Sequence, residues 1–195
     1  MDKKELQEFL KIKGEIRGVT FETDVKYVVS KWGDEGLERL MKRAKEMGID
    51  LPYKSAETMN WYPLGLRTVS LLLIKDEFNL DDEQIKDMGR MAPHFSFIAK
   101  FLFSLFLPLK IFTKDVPRFW KEHYTVGKMV VMESNEEKKI IIVNLEDVEL
   151  PPVLFTYLNG YLESVCNFFY SNCICTATQS SKSKAENIYQ YVFKW

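Results

Sequence analysis

Residues 127–144, GKMVVMESNEEKKIIIVN, decide the fold. Two apolar, β-branched runs, 129–133 and 138–144, flank the polar turn Ser134-Asn135-Glu136-Glu137, and that pattern predicts a β-hairpin. Upstream of Gly127 the apolar residues recur at helical spacing, so the period changes at this glycine. Downstream, 152–169 returns to a helix whose apolar face carries Leu154, Leu158, Tyr161, Leu162, Val165 and Phe168 or Phe169. Two further strands, about 173–178 and 188–194, flank the polar turn 179–187. Strands that arrive in pairs around one helix predict an antiparallel sheet with that helix on one face, not a doubly wound parallel sheet. The fold class is α+β: a helical N-terminal part followed by β-β-α-β-β.

The helical part reads from its punctuation. Thr20 is placed to cap a helix with Phe21, Val25, Val28, Val29 and Trp32 at helical spacing, and Gly33 ends it. Asp34 opens a second helix with Leu37, Leu40, Met41, Ala44 and Met47 on one face and Gly48 at its C-terminal cap, making a helical hairpin. Asn60 and Pro63 start a third helix through Leu64, Thr68, Leu71 and Leu72, and residues 80–84, LDDEQ, resemble a capping box for a fourth. Pro93 is expected to break or kink that helix. The very apolar segment 95–107 is closed by Pro108, and a shorter helix over about 113–124 leads to Gly127.

Composition narrows the function classes. The 195 residues, 46% hydrophobic and 28% charged, have enough to bury for one globular domain. A net charge of -1 gives no field that would draw the molecule to nucleic acid. Residues 1–13 are too charged for a secretory signal, and Lys100, Pro108 and Lys110 interrupt the one run that resembles a membrane span, so membrane insertion is not expected. Three cysteines, Cys166, Cys173 and Cys175, are few and clustered, which predicts reduced thiols and a cytoplasmic protein.

Catalytic and metal chemistry find little support. Neither phosphate-binding glycine pattern occurs. The two histidines, His94 and His123, lie too far apart in sequence to build a nucleophile–base–acid set, and a histidine in a last helical turn commonly just complements the helix dipole. Cys173 and Cys175 alternate onto one face of a strand but supply two ligands where a metal site needs about four. The segment holding Phe95, Phe97, Phe101, Phe103, Phe106 and Phe112 is apolar around its circumference. It is buried on all sides, lines an apolar pocket, or meets a second subunit.

Several stretches carry a family resemblance: KGEIRG at 13–18, KWGDE at 31–35, and NLDDE at 79–83 running on through MGR at 88–90. They resemble the N-terminal helices of the haem nitric oxide/oxygen binding (H-NOX) family. Residues 157–163, YLNGYLE, resemble the last-helix motif shared with the vinyl-reductase-type domains, and 189–195 resembles their closing strand. The spacing from Trp120 and Tyr124 through Gly127 to a hairpin is also similar to a haem-free, uncharacterised bacterial family of about this length. The resemblance implies an H-NOX-like fold over nearly the whole chain. It also implies what a haem-binding member needs: a proximal histidine, which His123 approaches within a few residues, and a Tyr-x-Ser-x-Arg motif for the propionates. Residues 144–152, NLEDVELPP, contain no Tyr, Ser or Arg, and Glu146, Asp147 and Glu149 would repel propionates. The metal cysteines of the vinyl-reductase type fall on Ser181, Ala185, Glu186 and Tyr189, so that metal site is not expected.

The expectation is one H-NOX-like domain with a helical subdomain, 1–125, and an α/β subdomain, 126–195. Its function is expected to be non-enzymatic: sensing or ligand binding in an apolar cavity for a small molecule. Phe95, Ile98, Phe101, Leu102, Leu105 and Phe106 would line that cavity, with no haem, other cofactor or metal. Two alternatives stay open. One is a scaffold or dimerisation module that binds a second copy or a signalling protein through the Phe-rich segment or the C-terminal aromatics. The other is a haem-based gas sensor using His123 as ligand.

Overall fold

The computed structural model describes residues 2–95, 109–183 and 186–195. Helix α1, Lys3–Phe9, opens on Asp2, whose carboxylate accepts from the Glu5 N–H at 2.8 Å. Strand β1, Glu15–Arg17, pairs antiparallel with β2, Trp61–Pro63, with Ile16 opposite Tyr62. Strands of three residues are too short to show a period of two, and the sequence reading missed both. Helix α2, Val19–Glu46, starts directly after Gly18, and the Thr20 hydroxyl donates to the Arg17 carbonyl instead of capping. Gly33, at φ 68°, interrupts α2 where the break was expected, with one residue rather than a loop between the two halves.

Helix α3, Leu64–Glu77, follows Pro63 and is buried along most of its length. Asp81 and Gln84 form a reciprocal capping box, Asp81 N–H to Gln84 Oε1 at 2.9 Å and Gln84 N–H to Asp81 Oδ1 at 2.8 Å, and start α4, Asp82–Phe95. Pro93 does not break α4, which runs on through His94 to Phe95, the last residue described before position 109. Helix α5, Leu109–His123, already includes the four residues before the expected start at 113.

Strands β3, Lys128–Asn135, and β4, Ile140–Glu146, form the expected hairpin. Helix α6, Pro152–Asn167, leads to β5, Ile174–Ser183, and β6, Glu186–Lys194. The sheet order is β3-β4-β6-β5 with every neighbour antiparallel. One face is buried, with Ile141, Val143 and Leu145 from β4, Tyr189, Tyr191 and Phe193 from β6, and Cys175 from β5. This face, α6 and the N-terminal helices share one apolar core that runs from Leu6 to Phe193.

Two glycines bring α4 and α6 into backbone contact. A Cβ on Gly89 would stand 2.1 Å from the Tyr157 carbonyl oxygen, and one on Gly160 1.9 Å from that of Lys86. Glu163 strengthens the same joint: it accepts from Arg90 Nε at 2.6 Å and from the Cys175 N–H at 3.0 Å, with Lys86 Nζ at 3.3 Å. One α6 carboxylate thus ties α4 to β5.

The thiol expectation needs correction. Cys173 lies just before β5 and bonds to Cys166 in the last turn of α6, with Cα atoms 6.0 Å apart. Asn167 holds the closing loop through three bonds, two of them to the Cys173 backbone. Cys175 is the free thiol, and it is buried. The argument from reduced thiols to a cytoplasmic location therefore loses its basis. Among the described residues no helix is long and apolar enough to cross a membrane.

Candidate functional site

The cavity residues expected from sequence fall mostly on the undescribed segment: Ile98, Phe101, Leu102, Leu105 and Phe106 lie outside the described residues. Phe95 closes α4, packs against the core and accepts from Lys26 Nζ through its carbonyl at 3.1 Å. His123 ends α5, half-buried, with Nδ1 bonded to the Phe119 carbonyl at 2.9 Å. Its neighbour Tyr124 turns inward instead, stacks on Trp120 and faces Arg67, Tyr157 and Tyr161. His94 lies elsewhere, beside Phe168 and 3.4 Å from the Ser164 hydroxyl. Of the C-terminal aromatics, Tyr189, Tyr191 and Phe193 are core residues with at most 2% exposure, whereas Phe168 is exposed.

The most unusual site in the interior is one the sequence reading did not find. Asp24 on α2 and Arg67 on α3 form an ion pair in which both side chains have no solvent exposure. Arg67 donates through Nη1 to Asp24 Oδ2. The Ser70 hydroxyl, one turn along α3, donates to the same oxygen at 2.6 Å, and the Tyr53 hydroxyl stands 2.8 Å from Ser70 Oγ. The Tyr157 ring of α6 covers the guanidinium, its centroid 4.6 Å from Cζ. Three polar atoms of the pair, Asp24 Oδ1, Arg67 Nε and Arg67 Nη2, are buried with no hydrogen-bond partner among the described residues.

Charge at this depth is costly, and the neighbours set the balance. Burial pushes the Asp24 carboxyl up, against the pull of Arg67 and Ser70. Burial also works against the guanidinium, but the charge on Asp24 beside it favours the ionised form and keeps Arg67 charged. The phenols of Tyr53, Tyr124, Tyr157 and Tyr161 are all raised, chiefly by burial, and remain neutral hydrogen-bonding groups. At the α4–α6 joint, burial opposes ionisation of Glu163, but the Cys175 N–H, Arg90 and Lys86 prevail and hold its carboxyl below the usual range.

A signal for the pair was present in the sequence. Arg67 sits at i+3 from Leu64, i−3 from Ser70 and i−4 from Leu71, on the apolar face of a predicted helix, and Asp24 sits between Phe21 and Val28. A charge on a core face needs a partner, and two such charges in different helices point to each other.

The donors expected of a haem site are incomplete. The segment after β4 bonds elsewhere: Asn144 Oδ1 accepts from Gln190 Nε2 at 3.1 Å, Lys128 Nζ lies 2.9 Å from Asp147 and 3.5 Å from Glu146, and the Leu150 N–H donates to the Tyr189 oxygen at 2.9 Å. It presents carboxylates where propionates need donors, so the residues present do not fit a haem anchored in that way. Among the described residues no group of three His, Cys, Asp or Glu side chains is placed to hold a metal ion.

No protein-family model matches the chain, and the comparison with curated proteins found no match. Solved structures do match. An H-NOX protein from K. algicida in the Fe(II) unliganded state has a TM-score of 0.59 at 12% identity over 92% of this chain and 97% of that one. An oxygen-binding H-NOX domain related to soluble guanylate cyclases, solved as its oxygen complex, has a TM-score of 0.61 at 11% identity over 92% and 94%. A structure from work on the mechanism of H-NOX activation reaches 0.65 at 12% identity over 92% and 96%. The arrangement of helices and antiparallel sheet in this chain is that of the H-NOX fold.

Proposed function

We propose that this chain is a non-enzymatic sensory domain that binds a small, largely apolar molecule between its helices and its sheet, without haem. The observation that carries the reading is the Asp24–Arg67 pair. It leaves three buried polar atoms without a hydrogen-bond partner among the described residues, in an interior that is mostly apolar. Interiors normally satisfy such atoms, and an apolar surround with a few convergent polar groups is the usual make-up of a small-molecule site. The H-NOX neighbours, one of them an oxygen complex, support a ligand-binding role. The α4–α6 joint at Gly89, Gly160 and Glu163 is where occupancy would shift helices against sheet. A non-enzymatic role is supported by the separation of His94 and His123 on different elements, each bonded to a different partner.

The test is extraction of the purified protein under denaturing conditions with mass analysis of what is released, alongside thermal unfolding with benzene as an apolar probe. A released molecule, or a saturable rise in midpoint, is expected. Absence of both would overturn the reading.

A scaffold role has one observation in its favour. The sheet face turned away from the core sets Ile174, Lys194, Ile140 and Asn135 in one row and Thr176, Val192, Ile142 and Glu133 in the next. Ile174 is 62% exposed. Mass measured against concentration tests it: a monomer at all concentrations removes self-association through this face.

A further inference from the structure

A guanidinium carries five N–H groups in a rigid plane, and its Nε–H and Nη2–H lie parallel along one edge, spaced to meet the two oxygens of a carboxylate. In Arg67 that edge is wholly buried and has no partner among the described residues, because Asp24 is met through Nη1 alone. Tyr157 covers the guanidinium, and Tyr124 and Tyr53 stand within electrostatic reach. Beside it Asp24 Oδ1 also has no partner among the described residues, so within them one polar patch holds two open donors and an open acceptor.

We infer that the free edge of Arg67 is a binding site for the carboxylate of a small monocarboxylic acid whose apolar body rests in the surrounding core. This inference rests on the ligand-binding reading above and names the polar end of the ligand. Arginine presents the fork that a carboxylate fits, and a buried fork loses little to competing water. Asp24 limits the affinity: it neutralises Arg67, so a carboxylate on the opposite edge meets a pair of no net charge. Replacing Asp24 with Asn leaves the side-chain shape and removes that negative charge. Across a separation of about 6 Å at an effective dielectric constant of about 20, carboxylate affinity should rise roughly tenfold to a hundredfold.

The experiment titrates the intact protein with sodium acetate and sodium benzoate and follows the thermal midpoint. Sodium chloride at matched ionic strength and benzene serve as controls. A saturable rise with a carboxylate and none with chloride is expected. The half-saturating concentration should fall at least tenfold in Asp24→Asn, and the response should vanish in the double variant Asp24→Asn/Arg67→Met, with folding checked by circular dichroism. Should the double variant fail to fold, Asp24→Asn alone decides. A carboxylate effect no larger than that of chloride, or unchanged in Asp24→Asn, overturns the inference and leaves the edge to ordered water. Stabilisation by benzene without stabilisation by carboxylates removes the anchor but not the ligand-binding reading. No response to either probe removes both.

Discussion

Adding a single methyl group at the α4–α6 crossing should separate the two helices. A Cβ at position 160 would sit 1.9 Å from the Lys86 carbonyl oxygen and 2.8 Å from its carbon, where ordinary contact begins at 3.4 Å. The helices must therefore move apart by up to 1.5 Å, the difference between 3.4 and 1.9 Å, because the obstacle is backbone and no side chain can rotate away. At position 89 the same reckoning against the Tyr157 oxygen gives 1.3 Å, from 3.4 and 2.1 Å. Overpacking costs about 1–3 kcal/mol or more when nothing can yield, so the upper end applies here. Alanine is the better helix former by about 1 kcal/mol, which offsets part of the loss. Gly160→Ala should lose about 2 kcal/mol net, a fall of roughly 4–8 °C in unfolding midpoint for a domain of this size. Urea unfolding followed by circular dichroism at constant slope reads it directly. A Gly160→Ala protein as stable as the parent, or more stable, would show that helix propensity dominates and that α4 and α6 do not touch as described.

Arg67→Met alone should destabilise by about 3–5 kcal/mol because it strands the buried Asp24, whereas Asp24→Asn/Arg67→Met should recover most of that loss; equal losses in denaturant titrations would argue against a coupled pair. Glu163, whose folded carboxyl lies below its ordinary value of 4.5, stabilises the fold above that value. This contribution is lost as pH falls through the lower folded value, so Glu163→Gln should flatten the acid limb of the stability–pH curve, and an unchanged slope would refute the assignment. Reduction of Cys166–Cys173, seven residues apart, should cost about 2.5 kcal/mol by loop entropy; a midpoint unmoved by dithiothreitol would show that the bridge does not constrain the chain.

The sheet half was legible because hairpin turns and alternation are local: the 129–144 hairpin, the helix from Pro152 and the antiparallel pairing all follow from short-range pattern. The capping box at Asp81 and Gln84 was legible for the same reason. What escaped depends on distant partners or on very short elements. Strands β1 and β2 have three residues each and exist because Ile16 and Tyr62 meet across 45 intervening residues. The Cys166–Cys173 bridge crosses a helix end, where the strand pattern placed Cys173 beside Cys175 instead. Asp24 and Arg67 lie on apolar helix faces, a signal that was not read, and the packing of α2 on α3 shows them as an enclosed pair with atoms unpartnered among the described residues. Of the expected cavity residues, Phe95 alone lies in the described part of the chain, packed on the core.

The claim that this H-NOX fold binds its ligand without haem is tested most directly by an absorption titration of the purified protein with haem. The account predicts no Soret band either as isolated or after addition, since the segment after β4 offers Glu146, Asp147 and Glu149 in place of propionate donors. A stoichiometric Soret band that disappears in His123→Ala would contradict it and establish His123 as a haem ligand.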